Sequence, residues 1–223
     1  MLELVKTRLP KAYGYSPMED IQVITPSRKG VMGVIELNQR LQAVLNPPSP
    51  SLPEVKSMLY TFREGDKVMQ IKNNYQQEWK IYGVSKTGTG RGYVLDEGVG
   101  VFNGDMGVIT DISDYDEELT ILFDDGRESV YNYKELDQIE HAFAVTIHKS
   151  QGSEYPAVII PLLGGNRKLM NRNLIYTAIT RARQLVIIVG DVNLVNQMVD
   201  NSEEQKRYTS LALRLEELNE SME

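Results

Sequence analysis

Two polar segments carry the residue types from which a site for a charged ligand could be built. Residues 148–154 (HKSQGSE) offer a lysine, two serine hydroxyls and a glycine, where backbone could approach an oxyanion closely. Residues 177–183 (TAITRAR) carry two arginines, whose rigid guanidinium is the preferred partner of a phosphate. On composition alone, residues 148–154 are equally compatible with a solvated connection, and residues 177–183 are more typical of a solvated helix face.

Several other kinds of site are excluded. The P-loop of nucleotide-binding enzymes needs Gly-Lys-Ser/Thr, and no lysine of this chain follows a glycine. Residues 93–97 (YVLDE) resemble a magnesium-holding box, but the short apolar run and the missing P-loop favour the end of a hairpin. The chain has no cysteine and 2 histidines, which excludes disulfides, iron–sulfur clusters and the usual zinc sites. We therefore expect no metal site.

The composition is that of a globular protein, with 41% apolar and 25% charged residues among 223. No apolar run approaches the roughly 20 residues that a membrane span needs, and the first residues lack the apolar core of a signal peptide. The absence of cysteine fits a reducing compartment. These features predict a cytoplasmic protein without a membrane partner.

Charge is distributed unevenly along the chain, whose formal net charge is −7. Residues 1–60 sum to +2 and residues 141–198 to +4, whereas residues 61–140 sum to −9 and residues 199–223 to −4. A polyanion responds to the local field rather than to the total charge. The two basic blocks are therefore compatible with a nucleic acid as partner.

Hydrophobic patterns predict the elements that must position the polar segments. Nearly continuous apolar runs are typical of buried parallel strands, and they occur at residues 21–26, 142–147, 157–162 and 185–190. Helical spacing predicts helices over residues 33–45 and 173–183, and the second would place Arg181 and Arg183 on different sides of one helix. A capping box at residues 202–205 predicts a last helix.

The acidic block has a different pattern. Alternating runs broken by Asn-Gly-Asp and Asp-Gly predict a small antiparallel β-barrel, with residues 86–92 as a loop within it. The sequence thus predicts an α/β domain, formed by residues 1–60 and 141–200, that is interrupted by a barrel at 61–140 and followed by a helix at 201–223. The segment 148–154 follows a predicted strand, and ligands of open α/β sheets bind at the carboxyl ends of strands.

Taken in order, VITPSRKG, NGDMGVI, TIHKSQGSEY and TAITRAR closely resemble the C-terminal half of RecD-like DNA helicases, the RecD/TraA group of superfamily 1. The resemblance, which includes the exodeoxyribonuclease V alpha-subunit type, covers nearly the whole chain. It implies a RecA-like domain of the P-loop NTPase type, lacking the P-loop itself, with an inserted barrel of Src-homology-3-like type.

The resemblance also implies roles for individual residues. Arg181 would be an arginine finger that reaches the γ-phosphate of ATP, and either Arg28 or Lys29 would also face the nucleotide. Three residues would border the nucleotide: Gln151, Gly152 and Glu154. Four would contact DNA phosphates, with Ser27 as a further candidate: Thr146, His148, Ser150 and Thr25.

The activity implied is that of an ATP-dependent DNA helicase that binds single-stranded DNA and unwinds duplex DNA 5′ to 3′, in repair or recombination. ATP and its magnesium would be held mainly by a first motor domain that this sequence does not contain, so the chain alone should not hydrolyse ATP. One alternative is a non-catalytic module that binds nucleic acid or protein on a RecA-like scaffold. Another is an RNA helicase, since the superfamily includes such enzymes.

Overall fold

A computed structural model describes residues 1–83, 92–164 and 170–201, together with positions 210, 214, 215 and 218. The strands of the described residues form a four-stranded parallel sheet, a seven-stranded antiparallel sheet and a two-stranded hairpin. The predicted α/β fold with an antiparallel β insertion is confirmed. The predicted loop at 86–92 (except Gly92) and most of the predicted last helix lie outside the described residues.

The strands and helices are numbered along the chain. The parallel sheet contains β1 (Ile21–Thr25), β11 (Ala144–Thr146), β12 (Tyr155–Leu162) and β13 (Ala182–Gly190). The antiparallel sheet contains β4 (Lys67–Gln70), β5 (Asn74–Tyr82), β6 (Val94–Val101), β7 (Met106–Ser113), β8 (Glu118–Phe123), β9 (Glu128–Asn132) and β10 (Ile139–His141). The hairpin contains β2 (Glu54–Lys56) and β3 (Thr61–Arg63). The helices are α1 (Leu9–Tyr13), α2 (Val34–Leu45), α3 (Arg172–Ile179) and α4 (Val192–Asp200), with a π-helical turn at Leu4–Arg8 and a 3₁₀ helix at Tyr133–Gln138.

The parallel sheet is covered on both faces. Its strand order is β11-β1-β12-β13, and all five residues of β1 are buried. One face packs against α1 and α2 through a cluster that includes Leu37 and Leu41. The other face packs against α3 and α4 through a cluster that includes Leu174 and Met198. This two-sided burial is the reason that the strands are apolar in nearly continuous runs.

The predicted helix over residues 173–183 is shorter in the structure. It ends at Ile179, and strand β13 begins at Ala182. The backbone amide of Tyr155 donates to the carbonyl of Arg181 at 2.8 Å, so pairing with β12 begins where the helical pattern would continue. Arg181 therefore lies in the link between α3 and β13, and Arg183 lies on a strand rather than on the helix.

The antiparallel insertion joins the α/β part through two chain segments that lie side by side. Strands β4 and β10 pair antiparallel, with His141 opposite Val68. At this junction the buried carboxylate of Asp66 accepts from Gln42 Nε2 at 2.6 Å and lies 3.1 Å from His141 Nε2. The side-chain oxygen Oδ1 of Asn38 on α2 accepts from the backbone N–H of Ala144 at 2.7 Å. Helix α2 thus fixes the point where the chain re-enters the parallel sheet.

Candidate functional site

The segment 148–154 is a compact turn held by its own backbone. The amides of Lys149 and Ser150 donate to the carbonyl of Thr146 at 3.0 and 3.1 Å, and the amide of Ser153 donates to the carbonyl of Ser150 at 3.1 Å. Gly152 has a φ of +90°, in the left-handed region that favours glycine. The turn therefore needs glycine at this position and has a defined conformation rather than that of a loose surface connection.

This turn connects opposite edges of the parallel sheet. Thr146 is paired with Thr25 at the carboxyl ends of their strands, whereas Ala157 is paired with Ile21 at the amino end of β1. Tyr155, which follows the turn, lies two residues further toward the amino edge. Along the strand direction, Thr146 and Tyr155 are therefore about six residues apart. At the rise of an extended strand, this separation is about 20 Å. Only its first residues lie at the carboxyl edge, where the sequence placed the whole segment.

Arg181 lies at the amino edge, beside the end of the turn. Its guanidinium donates to the carbonyls of Thr177 at 3.2 Å and Ser153 at 3.3 Å, and to Thr180 Oγ1 at 3.3 Å. All three acceptors are neutral, and no carboxylate of the described residues forms an ion pair with it. Within the part of the chain that the structure describes, the hydrogen bonds of the Arg181 guanidinium thus end on neutral oxygens, one of which belongs to the turn itself.

Glu154 also lies at the amino edge. Its carboxylate accepts from Arg183 Nε at 3.1 Å, and both side chains are more than half exposed. The two arginines of the segment 177–183 therefore have different environments. Arg183 is bound to a carboxylate at the surface, and Arg181 is bound to neutral oxygens against the turn.

Arg28 and Lys29 lie in the loop after β1, at the carboxyl edge of the sheet. The structure therefore does not bring them to Arg181, which lies at the amino edge. Arg28 Nη2 donates to Glu140 at 2.8 Å, while the side chain of Lys29 is exposed. By position, Arg28 and Lys29, either of which the resemblance would place at the nucleotide, lie with Thr146 and the start of the turn.

The residues predicted to contact DNA fall into two groups. Thr25 and Ser150 are completely buried, and their hydroxyls donate to the carbonyls of Met32 at 2.5 Å and Ile147 at 2.8 Å. Both hydroxyls therefore donate inside the protein and hold the loops in which they lie. Thr146 is partly exposed and His148 is exposed, so these two can face a ligand. Gln151 and Gly152 are exposed between the two edges.

Lys67, which the sequence analysis missed, joins the insertion to the parallel sheet. It lines a cavity of about 490 Å³ together with Asp124, Glu154 and Tyr155. Its Nζ donates to the carbonyl of Met18 and to Gln22 Oε1, each at 3.0 Å. Burial lowers the pKa of Lys67 to about 8 and raises the pKa of Asp124. The sequence pattern of β4 gives no sign that Lys67 is buried at this junction, because all four residues of the strand are buried.

Neither a metal site nor a membrane span is found in the described part of the chain. No group of three or more His, Asp or Glu side chains among these residues is placed to hold a metal ion. No helix among the residues that the structure describes is both long and apolar enough to cross a membrane.

Two family models match the chain. The SH3 domain of ATP-dependent RecD-like DNA helicases matches residues 37–123, and the C-terminal domain of UvrD-like helicases matches residues 141–189. The second match contains the turn and both arginines, and the first contains most of the antiparallel sheet.

Most of this chain is similar to parts of longer known proteins. The ATP-dependent RecD2 DNA helicase of Deinococcus radiodurans is 31% identical over 87% of this chain and 23% of its own length. The RecBCD enzyme subunit RecD of Haemophilus influenzae is 27% identical over 92% of this chain and 28% of its own length. A Bacteroides Pif1 helicase in complex with ADP-AlF3 and ssDNA has a TM-score of 0.49 at 18% identity, covering 99% of this chain and 49% of that chain. The chain thus spans about a quarter of the length of these two curated relatives.

Proposed function

Because this chain belongs to the RecD-like DNA helicases, we propose that it is the second motor domain of an ATP-dependent DNA helicase, with the SH3 domain inserted in it. The parent protein would move 5′ to 3′ along single-stranded DNA. ATP would bind between this domain and a first motor domain, which supplies the P-loop and holds the magnesium ion.

The observation that carries this proposal is the environment of Arg181. An arginine finger must bring a full positive charge to the transferring phosphate, where it contributes roughly 10³–10⁵ in rate in related systems. A carboxylate partner would neutralise that charge, whereas the hydrogen bonds of Arg181 to described residues all end on neutral oxygens. The Ser153 carbonyl orients the guanidinium beside Glu154, whose carboxylate can accept from a ribose hydroxyl when Arg183 releases it.

The DNA would bind at the opposite edge of the sheet. Thr146 and His148 face this edge, as do the cations of Arg28, Lys29 and Lys149. Contacts of this kind position a DNA backbone without reading its sequence. The turn 148–154 links the two edges covalently, so a change of nucleotide at one end has a short path to the DNA contacts at the other.

Substitution of Arg181 in the parent protein tests the finger role. Arg181→Ala should lower DNA-stimulated ATP turnover by about 10³ or more, because charge on the transferring phosphate loses its partner. Affinity for single-stranded DNA should change little. Arg183→Ala is the matched control, since it removes an arginine two residues away that is paired at the surface, and it should retain most of the turnover.

The isolated chain provides the second arm of the test. It should show no ATPase activity with or without DNA, because it contains no P-loop. Unchanged turnover in the Arg181→Ala parent would disprove the finger role. Activity in the isolated 223-residue chain would disprove the assignment of the catalytic half to another domain.

A further inference from the structure

Glu140 on β10 binds two cations that come from separate loops of the parallel sheet. Its Oε2 accepts from Arg28 Nη2 at 2.8 Å, and its Oε1 accepts from Lys149 Nζ at 2.9 Å. The residue is 3% exposed. Arg28 follows β1 and Lys149 follows β11, so one carboxylate of the insertion holds the loops after two neighbouring strands.

Because Glu140 is buried, its carboxylate needs both of these cations. An ionised carboxylate out of water needs partners that compensate its charge, and Glu140 has one cation on each oxygen. Burial raises the pKa of the Tyr60 hydroxyl, and the negative charge of Glu140 raises it further. The cluster therefore carries two positive charges and one negative charge, a net +1.

The excess charge faces solvent. The side chain of Arg28 is 45% exposed and that of Lys149 is 25% exposed, against 4% for Glu140. Each cation uses one nitrogen on Glu140, and the guanidinium of Arg28 retains further N–H donors. Because the two nitrogens are held on the two oxygens of one carboxylate, they are near enough to each other to bind a single phosphate together.

We propose that Glu140 is a positioning residue that holds Arg28 and Lys149 as a pair for one phosphate of a single-stranded nucleic acid backbone. This inference rests on the proposed DNA-binding function of the carboxyl edge. It adds that the inserted SH3-like domain, through Glu140, sets the geometry of a phosphate site whose cations both belong to the motor domain. A displacement of the insertion would then separate the pair and weaken the hold on DNA.

The test is a double-mutant cycle on DNA binding by the full chain. Binding of a fluorescent oligothymidylate is measured by anisotropy at low salt for the wild type, Arg28→Ala, Lys149→Ala and the double variant. Each single variant should weaken binding about tenfold, as expected for a charged hydrogen bond. If both cations serve one phosphate, the double variant should also lose about tenfold rather than a hundredfold, a coupling factor of about ten.

The same cycle is repeated in a Glu140→Gln background, where the pair is no longer held. The coupling factor should fall to about one, whatever the affinity of that variant itself, because a purely structural defect would weaken all four proteins alike. Glu140→Asp keeps the negative charge, but its shorter side chain cannot reach both cations, so this variant should also reduce the coupling factor. If circular dichroism shows that Glu140→Gln is unfolded, the cycle is measured in the Glu140→Asp background instead. Glu36→Gln, which frees Arg40 from an exposed ion pair on α2, is the control and should leave the coupling at about ten.

The outcomes separate this inference from the function on which it rests. Independent, multiplicative losses in the wild-type background would overturn the shared phosphate. A coupling factor still near ten with Gln or Asp at position 140 would overturn the positioning role of Glu140. Lack of any binding of the oligonucleotide by the wild-type chain at low salt would overturn the DNA-binding edge itself, and this inference with it.

Discussion

Three arginines of the candidate site show that residue type alone does not define a role. Arg28 and Arg183 each donate to a carboxylate, whereas the guanidinium of Arg181, among the residues with described positions, donates to neutral oxygens. A bound carboxylate reduces the charge that a phosphate would meet. The residue best suited to a transferring phosphate is therefore identified by its contacts.

Gly152 should affect the orientation of the Arg181 guanidinium as strongly as the oxygens that the guanidinium contacts. Its φ of +90° is strained for any residue with a Cβ, although the space around it is open. Gly152→Ala should cost about 1 kcal/mol of folding free energy, and it should also lower the ATP turnover of the parent protein, because the Ser153 carbonyl next to it would shift.

Gly126 provides a control that distinguishes the effect of backbone strain on stability from the effect of the turn on ATP turnover. Gly126 in the insertion has a φ of +87° and equally open space, but it lies in the hairpin between β8 and β9. Gly126→Ala should lower the free energy of unfolding by a similar amount and leave turnover unchanged. Equal turnover in the two variants would show that the turn does not orient Arg181.

At the scale of elements, the insertion and the parallel sheet are joined by buried polar side chains rather than by an apolar interface alone. Lys67 on β4 donates to Gln22 on β1, and Asp66 contacts Gln42 on α2. Such contacts fix one orientation, since each buried polar group needs its partner. They hold the insertion in one orientation against the parallel sheet.

Lys67 makes this junction sensitive to pH. Burial lowers its pKa from 10.5 to about 8, so between these values the folded protein binds fewer protons than the unfolded chain. The free energy of unfolding should therefore rise with pH from about 8 to 10.5, by at most about 3 kcal/mol from this group.

Urea unfolding of the wild type and Lys67→Met at pH 7, 8.5 and 10 measures this contribution. The stability of the wild type relative to the variant should increase across the series, while tyrosines that titrate at high pH affect both proteins alike. Lys72→Met, which removes a half-exposed lysine, should give no such increase. A constant difference between wild type and Lys67→Met would mean that Lys67 titrates normally.

At the scale of the whole molecule, the charges distinguish the basic carboxyl edge of the parallel sheet from the acidic insertion. The chain carries −7 in total, yet the cations of the carboxyl edge belong to the basic blocks and the acidic excess belongs to the insertion. Binding to a nucleic acid by this edge alone should be weak and steeply dependent on salt, since each neutralised phosphate of a single strand contributes about −0.7 to the slope of log K against log salt.

Lys29 offers a direct measurement of this slope. Its side chain is exposed at the carboxyl edge, so Lys29→Ala should weaken oligonucleotide binding equally for different base sequences and reduce the slope by about 0.7. Lys72→Ala, on the insertion, should leave the slope unchanged. A loss of affinity that depends on base sequence would show that Lys29 reads bases rather than phosphate.

Local patterns of residues are sufficient to predict most of the helices and strands and the order in which they occur. Strand β1, helix α2 and the antiparallel nature of the insertion follow from periodicities of apolar residues that are local in the chain. The turn 148–154 and the segment 177–183 were identified for the same reason, because residue types and spacing are visible without a fold. The resemblance carried by these segments identified the family.

The tertiary structure is needed to find which of these residues lie at the same edge of the sheet. The parallel register places Arg28 and Arg181 at opposite edges of the sheet, and strand pairing at Tyr155 ends the helix before Arg181. Glu140 and Lys67 have no local signal, because their partners lie up to 112 residues away in the chain. Contacts over such separations depend on the register of strands and on the orientation of the insertion, and neither is encoded in the spacing of neighbouring residues.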